Sequence, residues 1–303
     1  MELKSNFLIC GTCAAGCSQI TAALKQHPQI FLPINHRPEP HFFYKDSEYE
    51  KGVSYYIKKY FSEAVDEIAI GETSGSYMMG ENTPQRIYEH FPHMKIIIQL
   101  RNPTLRAYAN YRATVVHGLE TLSFEEALSQ EPSRIQAYKE EWKFVRPYSY
   151  IERSLYYKQV ESFKKIFPAE QLLILKSEDT RKDPFLAFKR CYEFLGVSNN
   201  FVPKIPPSYS NRSVVDRSVQ AGIREKIGSK IDKIIDYVEK EKDAMELSES
   251  PEEQKIIKSL VDNLEKTLIP MDEKCVHYLN NIFLKEKNDL QKILPFDIDD
   301  WYL

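Results

Sequence analysis

The sequence predicts a three-layer α/β fold, with a central, mainly parallel sheet, helices on both faces and a helical C-terminal portion. Four short apolar runs are typical of buried strands, and they lie at Phe7–Cys10, Ile68–Ile70, Lys95–Leu100 and Leu172–Leu175. Helical patterns separate these runs. Because strands alternate with helices, the pattern favours a parallel sheet that is covered on both sides.

The helices are predicted from their end signals. Ser18–Gln26 has helical periodicity directly after the first strand. Thr83-Pro84 is typical of an N-cap followed by the first helical residue. Ser123-Phe-Glu-Glu126 has the spacing of a capping box, and Asp183-Pro184 predicts a helix that ends near Gly196.

The chain of 303 residues shows no convincing domain boundary, so we expect one domain over residues 1–303. The segment 237–255 is dominated by charged residues and serine, which is typical of a solvated helix or a flexible excursion. Helical periodicity returns from Ile256 to Leu284, and Trp301 near the C-terminus is expected to dock on the body of the protein.

Composition excludes several classes of protein. The net charge is -3 and 42% of residues are apolar, so there is no strong basic field that would hold nucleic acid. No apolar run reaches the roughly 18 residues that span a bilayer, and the first apolar run is too short for a signal peptide. Five cysteines form no evident disulfide framework. We therefore expect a cytoplasmic protein with reduced thiols.

The turn from Gly11 to Ser18 lies between the first predicted strand and a helix, which is a layout that suits an anion. Its glycines would let the backbone turn sharply and approach a phosphate closely. The G-x-x-x-x-G spacing is P-loop-like, but Cys17 stands where that motif has lysine. The strand that ends at Leu100 runs into Arg101 rather than into a magnesium-binding acid, so a kinase fits poorly. A tight turn with no ligand remains an alternative.

The same turn contains Cys10, Cys13 and Cys17. A zinc or iron–sulfur site needs a fourth ligand and usually a looped C-x-x-C arrangement. Cys191 lies on a different predicted helix. Packing of small residues explains the three cysteines better, and we expect no metal site.

Three further segments make the interpretation more specific: Arg37–Phe43, Gly71–Tyr77 and Arg101–Tyr111. Together with the turn, in this order and spacing, they resemble the sulfotransferase family that uses 3′-phosphoadenosine 5′-phosphosulfate (PAPS). The similarity is to the branch of heparan sulfate sulfotransferases and their bacterial relatives, and it extends from Ser5 to Gly196.

The resemblance implies roles for individual positions. Glu39 matches the general base, which takes the proton from the acceptor, and His41 is an alternative base. Arg101 would contact the donor's 3′-phosphate, for which a planar guanidinium is suited. The remaining positions implied in donor binding are Gly11, Ala14, Ala15, Gly16, Cys17, Ser18, Ala109 and Arg212.

The chain departs from the family pattern at donor-contacting positions. Ala14 and Thr73 stand where relatives have lysines, Ala109 replaces a serine, and Cys17 replaces a threonine. Loss of a cation near the leaving phosphate removes transition-state stabilisation. Three interpretations remain open. The chain recruits cations from elsewhere, such as Arg37, Arg106, Arg212 or Arg217; it binds an altered donor; or it has lost catalysis and kept the fold as a binding module.

The resemblance implies in-line transfer of a sulfuryl group from PAPS to a hydroxyl or amine of a glycan or small-molecule acceptor. PAPS is then a co-substrate, and the expected partners are this nucleotide donor and the acceptor, with no nucleic acid and no membrane span. The alternative function is that of a catalytically impaired, sulfotransferase-like binding protein. The sequence does not identify the acceptor.

Overall fold

Five strands form the central sheet of the computed structural model, which describes residues 5–33, 39–116, 119–138, 144–204 and 271–302, with 250, 251, 254 and 258. The strands are β1 (Phe7–Ile9), β2 (Ile30–Phe31), β3 (Ala69–Thr73), β4 (Lys95–Leu100) and β5 (Leu172–Lys176). Their order is β2-β3-β1-β4-β5, and these strands pair in parallel throughout. The predicted α/β fold with a parallel sheet is confirmed.

The helices of the described residues follow the strands along the chain. They are α1 (Cys17–Leu24), α2 (Asp46–Tyr49), α3 (Val53–Phe61), α4 (Thr83–His90), α5 (Pro103–Val116), α6 (Phe124–Gln136), α7 (Tyr156–Ile166), α8 (Ser177–Lys182), α9 (Pro184–Leu195) and α10 (Glu273–Ile293). Short 3-10 helices lie at Tyr77–Met79, Glu152–Ser154, Ala169–Gln171 and Asp299–Tyr302.

The sheet is covered on both faces because its residues alternate between two apolar clusters. Leu8 and Ile96 pack with α3, α4, α7 and the end of α10, in a cluster that also contains Trp301. Phe7, Ile9 and Ile97 pack with α1 and α9 on the opposite face. A third cluster joins α5, α6 and the first half of α10. These clusters give the predicted three layers and helical C-terminal portion.

The observed strands differ from the predicted ones in two places. Strand β2 was not predicted, because a two-residue strand is too short to show a period. Strand β3 extends to Thr73 and includes the fully buried Glu72. A charged residue inside a buried strand is uncommon, so the polar residues after Ile70 did not indicate a strand.

The predicted starts of α6 and α9 agree with the structure, whereas α1 and α4 differ from the prediction. Helix α1 was predicted over Ser18–Gln26 and is observed over Cys17–Leu24. Ser123 and Glu126 form both hydrogen bonds of a capping box, and Asp183 accepts from the N–H of Leu186 at the start of α9. At α4 the N-cap is Asn82, so Thr83 is already helical. The Thr83 hydroxyl instead donates to the carbonyl of Phe43.

The strand order predicts a crevice beside the carboxyl end of β1. From β1 the chain continues to β2, which lies toward one edge of the sheet. From β4 it continues to β5, which lies at the opposite edge. In open parallel sheets, ligands bind at the carboxyl ends of the strands where the winding direction changes. The residues after β1 and after β4 therefore lie at the position expected of a ligand site.

Some sequence predictions fall outside the described residues. Arg37, Arg212, Arg217 and most of the charged segment 237–255 are among them. The single-domain organisation stays a prediction. In the described part of the chain, no helix combines the length and apolarity that a membrane crossing requires.

Candidate functional site

The turn between β1 and α1 is held by side chains from β4, from the residue that follows it and from α5. Its carbonyls accept hydrogen bonds at Cys13 from Arg106 Nη1 (3.1 Å), at Ala14 from Arg101 Nη1 (3.1 Å) and at Ala15 from Gln99 Nε2 (3.0 Å). In a trans peptide the N–H points opposite to the carbonyl. The amides that follow these carbonyls are therefore directed away from the three side chains.

Backbone geometry completes the turn. Ala14 and Gly16 have positive φ angles of 68° and 97°, and the Ala15 N–H donates to the carbonyl of Thr12 at 3.1 Å. Gly16 is the N-cap of α1, and no side chain caps that helix. Uncapped N–H groups and the helix dipole favour an anion at this end of α1.

Gly11 is required for space rather than for a left-handed backbone. A Cβ at Gly11 would lie 2.1 Å from Cys17 Sγ and 3.0 Å from the carbonyl oxygen of Gln99. Cys17 is buried, and burial raises the pKa of its thiol to about 12. The thiol therefore acts as a packing group under the turn.

We expect Gly11→Ala to destabilise the fold by about 1–3 kcal/mol, the usual cost of overpacking. Cys17→Ala removes the closest atom, so the double variant should recover part of that loss. Urea denaturation of wild type, both single variants and the double variant measures the coupling free energy. If the losses of unfolding free energy in the two single variants simply add in the double variant, the packing role of the Cys17 thiol is contradicted.

Arg101 follows the last residue of β4 and faces the turn. Burial, together with the nearby charge of Arg181, lowers the pKa of its guanidinium to about 10. Its Nη1 donates to the Ala14 carbonyl. Its Nε is buried and has no hydrogen-bond partner among the described residues. Arg101 thus has a buried donor that no acceptor uses in the described part of the chain.

Arg106 lies beneath the turn and is fully buried. All of its nitrogens donate to protein acceptors, namely Ser154 Oγ, Asn110 Oδ1 and the carbonyls of Cys13, Ser149 and Tyr150. Among the described residues neither Arg106 nor Arg101 forms an ion pair. Two positive charges therefore stand next to the turn without a carboxylate in direct contact.

The two candidate bases lie on the other side of the turn. Glu39 Oε2 accepts from the Gly75 N–H at 2.8 Å and lies 3.8 Å from His41 Nε2. A Cβ on Gly75 would be 3.3 Å from the Gly11 carbonyl oxygen. Gly75 therefore touches the turn while its amide holds Glu39. The structure places Glu39, His41 and the turn next to one another, with both side chains about one-third exposed or less.

A buried carboxylate supports this arrangement from below. Glu72 accepts hydrogen bonds from the hydroxyls of Tyr77 (2.6 Å), Ser74 (2.9 Å) and Tyr56 (3.1 Å). The Ser74 hydroxyl also accepts from the N–H of His41 at 3.0 Å. Through Ser74, Glu72 is thus connected to the backbone that carries the candidate bases.

Burial raises the pKa of Glu72 from 4.5 to about 7, against the lowering effect of the hydrogen bonds from Tyr77 and Ser74. A carboxyl with a raised folded-state pKa contributes stability below its unfolded pKa, and this is lost as pH rises through the folded pKa. We therefore expect the unfolding free energy of wild type, relative to Glu72→Gln, to fall between about pH 5 and pH 8. Urea denaturation of both proteins across that pH range measures the two unfolding free energies. If their difference does not change with pH, the raised pKa of Glu72 is contradicted.

The variant Glu72→Gln is needed as the reference because other buried carboxyls behave similarly. Burial also raises the pKa of Glu131 and of Glu286 to about 7. Subtracting the curve of the variant cancels their contributions, provided that the sites are independent.

The remaining predicted positions are distributed around the turn. Ala14, Ala15 and Cys17 are buried, Ser18 lies in the first turn of α1, and Ala109 is half-buried on α5. Thr73 hydrogen-bonds Thr21 on α1 at 2.8 Å, and the Thr21 hydroxyl donates to the carbonyl of Cys17 at 2.9 Å. Thr73 therefore secures α1 against the sheet.

Sequence reasoning missed Gln99 and Glu72 as parts of the site. Gln99 lies within an apolar strand, and its amide reaches a carbonyl 84 positions away in the chain. No local pattern carries such a pairing. Arg106 was expected only as a compensating cation, whereas its hydrogen bonds also fix the shape of the turn.

The three cysteines of the turn do not form a metal cluster in the described residues, where no group of three or more histidine, cysteine or acidic side chains could hold an ion. Cys10, Cys13 and Cys17 form no disulfide bond. Burial raises the pKa of Cys10 well above its ordinary value. This chemistry is that of packed thiols rather than thiolate ligands.

Comparison with known proteins agrees with this geometry. The family model of the sulfotransferase domain matches residues 4–220. The heparan sulfate glucosamine 3-O-sulfotransferase 5 of Mus musculus and that of Homo sapiens are each 29% identical over 194 residues, covering 63% of this chain and 53% of the relative. The chain thus spans about half the length of these curated relatives.

A solved structure extends the similarity to the whole chain. The sulfotransferase from Alicyclobacillus acidocaldarius superposes with a TM-score of 0.71 at 25% identity, covering 99% of both chains. Since the family model matches well over half of the residues, the chain belongs to the sulfotransferase family.

Proposed function

We propose, from its membership of the sulfotransferase family, that this chain transfers a sulfuryl group from PAPS to a hydroxyl or amine of a glycan or small-molecule acceptor. The observation that carries the proposal is the turn from Gly11 to Gly16. Its carbonyls are held by Gln99, Arg101 and Arg106, and Glu39 lies beside it.

The residues around the turn fit an anionic nucleotide. The N-terminus of α1 has no side-chain cap, and Arg101 Nε is buried with no hydrogen-bond partner in the described part of the chain. Arg101 and Arg106 form no ion pair there. An anion at the turn would accept hydrogen bonds from these donors and offset both charges.

In the proposed reaction the acceptor atom bonds to sulfur while the bond from sulfur to the 5′-phosphate oxygen breaks. Glu39 takes the acceptor's proton, and the turn amides stabilise the charge left on the 5′-phosphate. The Gly75 N–H fixes one oxygen of Glu39, which leaves the other available to the acceptor. Since the family's lysine is replaced by Ala14, Arg101 and Arg106 provide the cationic charge at the turn.

The names of the relatives indicate which acceptors to test first. Two of them are heparan sulfate glucosamine 3-O-sulfotransferases, so glucosamine-containing oligosaccharides are the first acceptors to test. The net charge of -3 favours weakly charged acceptors over a highly sulfated polymer.

A second candidate function is binding without catalysis. Ala14 and Ala109 supply no polar side chain, and the hydroxyl of Thr73 is used in the pair with Thr21. With these groups lost, the site could retain the nucleotide and lack the stabilisation that the transfer step requires.

The test has two parts. Calorimetry with 3′-phosphoadenosine 5′-phosphate (PAP) measures binding, and transfer of labelled sulfuryl from PAPS to a panel of oligosaccharides and small alcohols measures catalysis. Binding with transfer supports the enzyme, and binding without transfer supports the second function. If PAP does not bind, both functions are wrong.

A further inference from the structure

Helix α8 is held directly beside Arg101 by the sheet. The last residues of β4 and β5, Leu100 and Lys176, are register partners. Arg101 therefore leaves β4 at the same edge where α8 begins after β5. The carboxylate of Glu178 in α8 accepts the N–H of Asn102 at 3.0 Å, which fixes one face of α8 against the start of α5.

Arg181 lies on that same face of α8. Residues three apart on a helix lie on the same face, so Arg181 shares the face of α8 that carries Glu178. The positive charge of Arg181 is, after burial, the largest influence that lowers the pKa of Arg101. The charges of Arg181 and Arg101 therefore repel each other.

Protein carboxylates balance this repulsion only in part. Arg181 is exposed, and within the described ranges neither Arg181 nor Arg101 forms an ion pair. Glu178 is the acidic group that acts on Arg101, and its second oxygen is buried without a hydrogen-bond partner among these residues. One carboxylate leaves a net positive charge between two arginines.

A phosphate monoester matches this arrangement. It carries close to two negative charges at neutral pH, and arginine forms paired hydrogen bonds with phosphate oxygens. Arg101 retains an unpartnered Nε in the described residues, and the guanidinium of Arg181 is exposed and accessible. The half-buried Ala109 on α5 offers no hydroxyl to such a group.

We propose that Arg181 binds the 3′-phosphate of the nucleotide donor together with Arg101, and so replaces the hydroxyl contact missing at Ala109. The inference rests on the proposed function, because it concerns the same donor. It adds a residue that recognises the 3′-phosphate specifically, on a helix that the sequence motifs did not include.

The test compares PAP with adenosine 5′-monophosphate, which lacks the 3′-phosphate. Arg181→Gln should weaken PAP binding about 10-fold, the scale of one charge-assisted hydrogen bond, and leave binding of the monophosphate unchanged. Lys182→Gln is the matched control, because it removes one exposed charge from the neighbouring position of α8. Calorimetry at fixed ionic strength measures all three proteins.

The outcomes separate this inference from the proposed function. If wild type binds PAP no better than the monophosphate, the donor assignment itself is wrong. If wild type prefers PAP and Arg181→Gln keeps the full preference, only the role of Arg181 is wrong. An equal loss for both nucleotides, or an equal loss with Lys182→Gln, would show a general charge effect and also overturn the inference.

Discussion

Glu39→Gln should lower the rate of sulfuryl transfer strongly while leaving PAP affinity unchanged. Glutamine keeps an oxygen that can accept the Gly75 N–H, so the loop geometry is retained. It cannot take a proton from the acceptor, and loss of general-base catalysis typically lowers the rate about 10²–10⁴-fold. Transfer of labelled sulfuryl under saturating donor measures the effect, with calorimetry of PAP as the binding readout.

Glu50→Gln is the control for this prediction, because Glu50 is an exposed carboxylate nearby in the chain. His41→Gln tests the alternative base, 3.8 Å from Glu39. A larger loss for His41→Gln than for Glu39→Gln, with PAP binding intact in both, would move the role of base to the histidine. Full activity in Glu39→Gln would exclude the carboxylate as base.

Arg106→Gln should be among the most destabilising single substitutions in this chain. The guanidinium is fully buried and connects the turn to the segment 149–154 through carbonyl and hydroxyl acceptors. Removing it leaves several buried acceptors without a donor, at about 1–3 kcal/mol each. We expect a loss of about 4 kcal/mol in the unfolding free energy, the scale found when a buried charged partner is removed.

Urea denaturation measures this loss, and Arg112→Gln is the matched control because Arg112 is exposed on the same helix. If the loss of unfolding free energy in Arg106→Gln is no larger than that in the control, Arg106 does not hold the turn against the segment 149–154. Arg106→Lys keeps the charge but cannot reproduce the fork of donors. We therefore expect Arg106→Lys to be intermediate in stability and to bind PAP more weakly than wild type.

The parts of the fold that were predictable carry local signals. β4 and β5 are continuous apolar runs, and the capping box at Ser123 is read from four adjacent residues. β2 and the buried end of β3 lack such signals, because tertiary contacts rather than periodicity place them in the sheet. Asn82 is the N-cap of α4 instead of Thr83 because the Thr83 hydroxyl bonds Phe43.

The candidate site, like the fold, contains residues that local sequence signals predict and residues that they do not. The glycine spacing located the turn, and the residue after β4 located Arg101, because both are fixed by adjacent elements. The hydrogen bonds from Gln99 to Ala15 and from Arg106 to Cys13 cross more than 80 positions, so no window of sequence contains both partners. Glu72 was missed because its role depends on three hydroxyl donors brought together only by folding.

The turn and the loop that carries Glu39 and His41 are attached to the rest of the protein by different contacts. Side chains from β4 and α5 hold the turn, whereas Glu39 and His41 depend on contacts with Ser74 and Gly75. Under the proposed function, substitutions in the loop that carries Glu39 could therefore change acceptor binding without changing nucleotide binding at the turn. Grafting residues 39–45 from a relative should alter acceptor choice and spare donor affinity, which makes this loop the natural starting point for engineering.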